Sequence, residues 1–201
     1  MKYQIFKTKC SITEKVFLSI LGILLLILTF KFFFLSNFTL QNLLFYIVIV
    51  AIFLALTFLA YFDFKKMEVH STLSLALMLL LFASNLSLFL VLGSEEGIKI
   101  NNWVYIPYQN FLSTLILGSL FQLTVLLSKE KALGQGDVRI AIIVGLLIGY
   151  NNIIYWSYIT VFSALFYGLI IAYKKKKFKG LKIPFVPFMV LGTMIVILIN
   201  I

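Results

Sequence analysis

"LLFYIVIVAIFLALTFLAYFDFKK", residues 43–66, runs for twenty residues without a charge and then ends on an aspartate and two lysines. A transmembrane helix needs about 20 mainly apolar residues to cross about 30 Å of hydrocarbon, so 43–62 reads as one complete span. The same pattern recurs on both sides of it, at about 16–36, 72–92, 110–127, 138–150, 153–173 and 185–201. Composition agrees. The 201 residues are 62% hydrophobic with a mean hydropathy of +1.08, against about 45–50% apolar in soluble domains. The expected fold is therefore all-α and polytopic, with about seven transmembrane helices. The basic N-terminal segment and the first of these helices occupy 1–42, and the other six lie in 43–201.

The formal net charge of +10 would suggest a nucleic-acid partner in a soluble protein. In a membrane chain it reports topology, because cytoplasmic loops collect Lys and Arg. With the N-terminus inside, Lys2, Lys7, Lys9, Lys15, Lys65, Lys66, Lys129, Lys131, Arg139 and the six lysines of "KKKKFKGLK" (174–182) are cytoplasmic, fifteen of the seventeen. Only Lys31 and Lys99 fall outside. The polar stretch 93–110 is then external, with Trp103, Tyr105 and Tyr108 suited to an interfacial belt.

Local signals refine the ends. "SITE" (11–14) fits a capping box that starts the first helix, Ser11 at the N-cap and Glu14 three residues on. No small-residue cleavage site follows Phe30, which favours a retained helix over a signal peptide. The 138–150 segment is short for a span and ends in the polar "GYNN" (149–152). It suits a helix packed among others, forming a hairpin with the next one. One cysteine, Cys10, rules out a disulfide within the chain, and one histidine, His70, argues against a histidine-built metal site. His70 reads as a loop residue, and Glu68 and Glu130 as solvated edge charges.

The chain holds only two aspartates, Asp63 and Asp137. Asp63 ends the second helix, where the macrodipole disfavours a negative charge; a loop ion pair with Lys65 or Lys66 is the plain alternative. Asp137 opens the fifth helix, where an N-cap role would suffice. That role leaves Gly134 and Gly136 unexplained, since glycine permits positive φ and close backbone approach. A dinucleotide fingerprint is excluded, because Arg139 stands where its third glycine belongs and no strand precedes. The topology puts both aspartates at the cytoplasmic face. Ionisable groups in membrane segments point to function, and two nearby carboxylates favour sharing one proton, the aspartic-protease arrangement.

Three segments resemble one family, the type IV prepilin leader peptidases with the archaeal preflagellin peptidases, which are membrane aspartyl proteases of the GxGD type. "DFKKMEVHSTLSL" (63–75) is similar to the family's first aspartate segment, with Met67, Glu68 and Val69 in register and His70 and Ser71 where proline and asparagine are usual. "GQGDVRIAIIVGLLIG" (134–149) matches the Gly-x-Gly-Asp motif, with Arg139 at its basic position and Gly145 and Gly149 in the helix that follows. "IPFVPFMVLG" (183–192) is similar to the family's Pro-Phe-Gly-Pro-Phe segment, with Pro184 and Pro187 in place and Val186 for the middle glycine.

The resemblance implies an endopeptidase that removes the short basic leader of type IV pilin-like or flagellin-like precursors at the cytoplasmic face of the cytoplasmic membrane. Asp63 and Asp137 would be catalytic. Gly134 and Gly136 would let an extended substrate backbone lie against the loop. The implied partners are these precursors and membrane lipid, with no nucleic acid, metal or cofactor. Many bacterial members also carry a cysteine-rich methyltransferase domain. The loop between the first two spans is about six residues and has no cysteine, so that domain is not expected. Three other readings stay open: an ion-coupled transporter using both aspartates, whose usual midplane site and repeated halves are not evident; a presenilin-like or signal-peptide-peptidase-like protease, whose Pro-Ala-Leu motif is absent; and a catalytically inactive membrane scaffold.

Overall fold

The computed structural model describes residues 12–35, 40–93, 97–100, 103–130, 133–176 and 183–200. These form seven α-helices: α1 (Ile12–Leu35), α2 (Leu40–Lys66), α3 (Ser71–Leu92), α4 (Pro107–Ser128), α5 (Gln135–Ile148), α6 (Ile153–Lys175) and α7 (Val186–Asn200). Four helical stretches are long and apolar enough to cross a membrane: Ile47–Lys66, Ser71–Leu92, Pro107–Ser128 and Tyr150–Lys174; α7 is a shorter apolar helix. The capping-box reading of the start of α1 rests on Ser11, which lies outside the described residues.

The short helices are the inner ones. Val138, Ile140, Ala141, Ile143, Val144 and Leu146 of α5 are buried, as are Phe188, Met189, Val190 and Met194 of α7. α5 packs against α4, α3 and α7, while α7 packs against α6, α2, α1 and α5. Close approach of α4 and α5 requires Gly145, where a Cβ would stand 2.6 Å from the Thr114 Cα. The outer helices turn large apolar side chains outward, among them Leu79, Leu90, Leu115, Leu126, Phe166 and Tyr173. Apolar patches on this scale suit hydrocarbon and not water.

Within hydrocarbon a helix end must have its orphan carbonyls satisfied by protein, and α5 shows how. Gly149, at φ +71°, stops the helix. The Tyr105 hydroxyl donates to the Leu146 carbonyl at 3.1 Å and Asn85 Nδ2 donates to it at 3.4 Å. Asn152 Nδ2 donates to the Ile148 carbonyl at 2.8 Å. Tyr105 arrives on an antiparallel hairpin, β1 (Ile98–Ile100) with β2 (Trp103–Tyr105), inside the stretch expected to be a plain polar loop. Burial pushes its hydroxyl up to about 12, against the lowering effect of Asn85 and Asn110. Asn200 of α7 reaches Asn152 at 3.2 Å, and Lys31 Nζ of α1 donates to the Leu198 carbonyl at 3.0 Å. The ends of α5 and α7 and the start of α6 therefore meet at one end of the bundle. The starts of α3, α5 and α7 meet the end of α2 at the other.

Candidate active site

Asp63 lies in the last turn of α2, which runs on to Lys66 and does not stop at the aspartate. It is 5% exposed. A carboxylate there faces the negative end of its own helix, and the structure supplies the compensation from α7. The backbone N–H of Val186, the first residue of α7, donates to Asp63 Oδ2 at 3.2 Å. The Phe185 carbonyl accepts from Phe188 and Met189 at 3.1 and 3.2 Å, which opens that helix. Pro187, second in α7, has no N–H to leave unsatisfied in this turn, and Pro184 just before it is buried. Burial, the charge of Asp137 and the Val186 N–H act on the Asp63 carboxyl, and Lys66 Nζ sits 4.6 Å above the Phe62 ring centre.

Asp137 is the third residue of α5, not its N-cap; Gly134 holds the cap position. The Gly134 N–H donates to Asp137 Oδ2 at 2.9 Å, while the Asp137 N–H donates to the Gly134 carbonyl at 3.1 Å. This is the reach-back arm of a capping box; glycine has no side chain to supply the other arm. Burial holds the Asp137 carboxyl above its ordinary range, opposed by the Gly134 hydrogen bond. The two aspartates share one electrostatic neighbourhood, since the charge of Asp137 acts directly on Asp63. Residues 74 apart in sequence are thus brought together at the start of α5 and α7.

The glycines divide. Gly134 is exposed, with extended backbone at φ −95° and nothing within 3.8 Å of where a Cβ would stand. Gly136 faces its own chain: a Cβ there would lie 2.6 Å from Val69 Cγ2. Three residues on, Arg139 Nη1 donates to Ser71 Oγ at 2.7 Å. His70 is the N-cap of α3 and not a bare loop residue. Its Nδ1 accepts from the Leu73 N–H at 3.3 Å and lies 3.0 Å from Thr72 Oγ1, while the ring stands edge-on to Phe62 at 5.3 Å. Val69, Ser71 and Val186 stand at motif positions in the sequence, but their contacts at the site were not expected from it. For Ser71 a signal existed in the polar "HST" (70–72) opening a helix. Glu68 and Glu130 are exposed. Among the described residues no group of three His, Cys, Asp or Glu side chains could hold a metal ion. Cys10 lies outside them.

A family model described as "Type IV leader peptidase family" matches residues 50–173, a stretch that contains both aspartates and α3 to α5 entire. No curated protein and no solved structure matches the chain.

Proposed function

The chain belongs to the type IV leader peptidase family, and on that premise we propose that it is an aspartyl endopeptidase of the membrane whose catalytic groups are Asp63 and Asp137. The observation that carries this reading is their convergence: the charge of Asp137 acts on a buried Asp63 in a chain of apolar helices. Each carboxylate takes one backbone N–H through Oδ2, from Val186 and from Gly134. Those bonds fix the two groups. The pair holds one proton between them, as like charges in a desolvated site favour. The ionised member draws a proton from water as that water attacks the scissile carbonyl. The protonated member gives its proton to the carbonyl oxygen, and the roles reverse as the leaving amine is protonated.

The substrate proposed is a type IV prepilin-like or preflagellin-like precursor, cut behind its basic leader at the cytoplasmic face of the cytoplasmic membrane. The positive-inside distribution supports that orientation. Exposed Gly134 is the backbone against which an extended substrate segment lies. The short connection between α1 and α2, residues 36–39, supports a peptidase without the methyltransferase domain, whose product keeps an unmethylated N-terminus. The test is mass spectrometry of a leader-bearing precursor incubated with the purified protein and S-adenosylmethionine. A product shortened by the leader and carrying no methyl group is expected. An intact precursor overturns the substrate assignment, and a methylated product overturns the single-activity reading.

A further inference from the structure

The helices that carry the two aspartates hardly touch. α2 packs on α7, α1 and α3, whereas α5 packs on α4, α3 and α7. Their relative position is set by intermediaries, the helices α7 and α3 that pack on both. A further one is the connector between α2 and α3. It begins on the Asp63 backbone, whose carbonyl accepts the Met67 N–H at 2.8 Å, with Met67 in the left-handed region at φ +55°. It then follows α5. Val69 fills the space left open by Gly136, and Ser71 Oγ accepts from Arg139 Nη1 at 2.7 Å. These two contacts flank Asp137 in sequence, one residue before it and two after.

We infer that Ser71 and Arg139 are positioning residues, whose mutual hydrogen bond holds the start of α5, and Asp137 with it, at the separation from Asp63 that the reaction requires. The inference rests on the proposed role of the two aspartates. A guanidinium donor makes a short, charge-assisted bond with directional preference, and here it joins the start of α3 to the start of α5. Ser71 is exposed, so the bond adds little to stability. Its effect is on geometry, to which rates are more sensitive: a misplacement of about 1 Å can cost about 100-fold.

The test is a mutant cycle in the precursor-cleavage assay: Ser71→Ala, Arg139→Met and the double variant, with unfolding midpoints measured on the same preparations. Each single variant is expected to lose about tenfold in kcat, with KM within about twofold and the midpoint little changed. The double variant is expected to be no slower than either single, because both remove one bond. Ser71→Thr keeps the hydroxyl and is expected to recover most of the loss. Ser71→Ala at the parent rate, additive losses, or losses that track the unfolding midpoint without rescue by Ser71→Thr would each overturn the inference. Asp63→Asn and Asp137→Asn run alongside. If both are dead while Ser71→Ala turns over normally, positioning alone has failed; if both remain active, the reading beneath it has failed too.

Discussion

Gly136→Ala separates two explanations of the glycine before Asp137. Its added Cβ would stand 2.6 Å from Val69 Cγ2 and 2.7 Å from Val69 Cβ. Carbon atoms pack at about 3.5–4.0 Å, so the start of α5 and the connector must separate by about 1 Å. Rotating Val69 moves its methyls but not its Cβ, which leaves a backbone shift as the only relief. Overpacking of this kind costs about 1–3 kcal/mol. The larger effect is catalytic, since a shift of about 1 Å at Asp137 predicts a fall of about 100-fold in turnover. Gly134→Ala is the control: its Cβ meets nothing nearer than 3.8 Å, so the loss of stability should be no more than that of a poorer N-cap and any loss of activity should appear in KM.

The decisive variant is the exchange Val69→Gly with Gly136→Ala, which moves the small residue to the other side of the contact. Cleavage kinetics and unfolding midpoints in detergent are the assays. The exchange should recover most of the activity lost in Gly136→Ala, less a small cost for the freedom glycine gives the connector. If the glycine serves instead to admit substrate backbone, the exchange will be as slow as the single variant. That result, or a Gly136→Ala protein with parental rate and stability, would refute the packing argument.

Two further outcomes are expected. In a Cys10→Ser background, cysteines placed at Ser94 and Lys175 should label from opposite sides of the membrane; labelling from one side contradicts the topology. Burial raises the Asp137 carboxyl above 3.8, so its contribution to stability is full below that value and is lost as pH rises through the higher folded one. Asp137→Asn, which cannot ionise, should therefore gain in unfolding midpoint on the parent as pH is raised from about 4 toward neutrality. A difference that stays constant or shrinks contradicts the buried placement.

The helices were legible because hydrocarbon imposes one rule, a long apolar run for each span, and the runs at 43–62 and 72–92 obey it without ambiguity. The aspartates stood out because an apolar chain makes each charge conspicuous. Less legible were the contacts between segments. Nothing in "IPFVPF" (183–188) announces that the Val186 N–H will serve Asp63, since a backbone donor has no signature in sequence. The hairpin at 98–105 was missed because three-residue strands are too short to show alternation. Asp137 was misplaced within its turn because Gly134, a tolerated but weaker N-cap, is easily passed over for an aspartate three residues later.

The central claim is that Asp63 and Asp137 act as one unit, and the direct measurement is the cleavage rate of Asp63→Asn, Asp137→Asn and the double variant, with Glu68→Gln and Glu130→Gln as charge controls. Groups that act together are strongly non-additive. Each aspartate variant should abolish turnover, the double variant should be no worse than either single, and both glutamate variants should keep most activity. Near-normal turnover by Asp63→Asn or by Asp137→Asn would contradict the account, because one carboxyl group cannot activate the water and protonate the carbonyl oxygen at the same time.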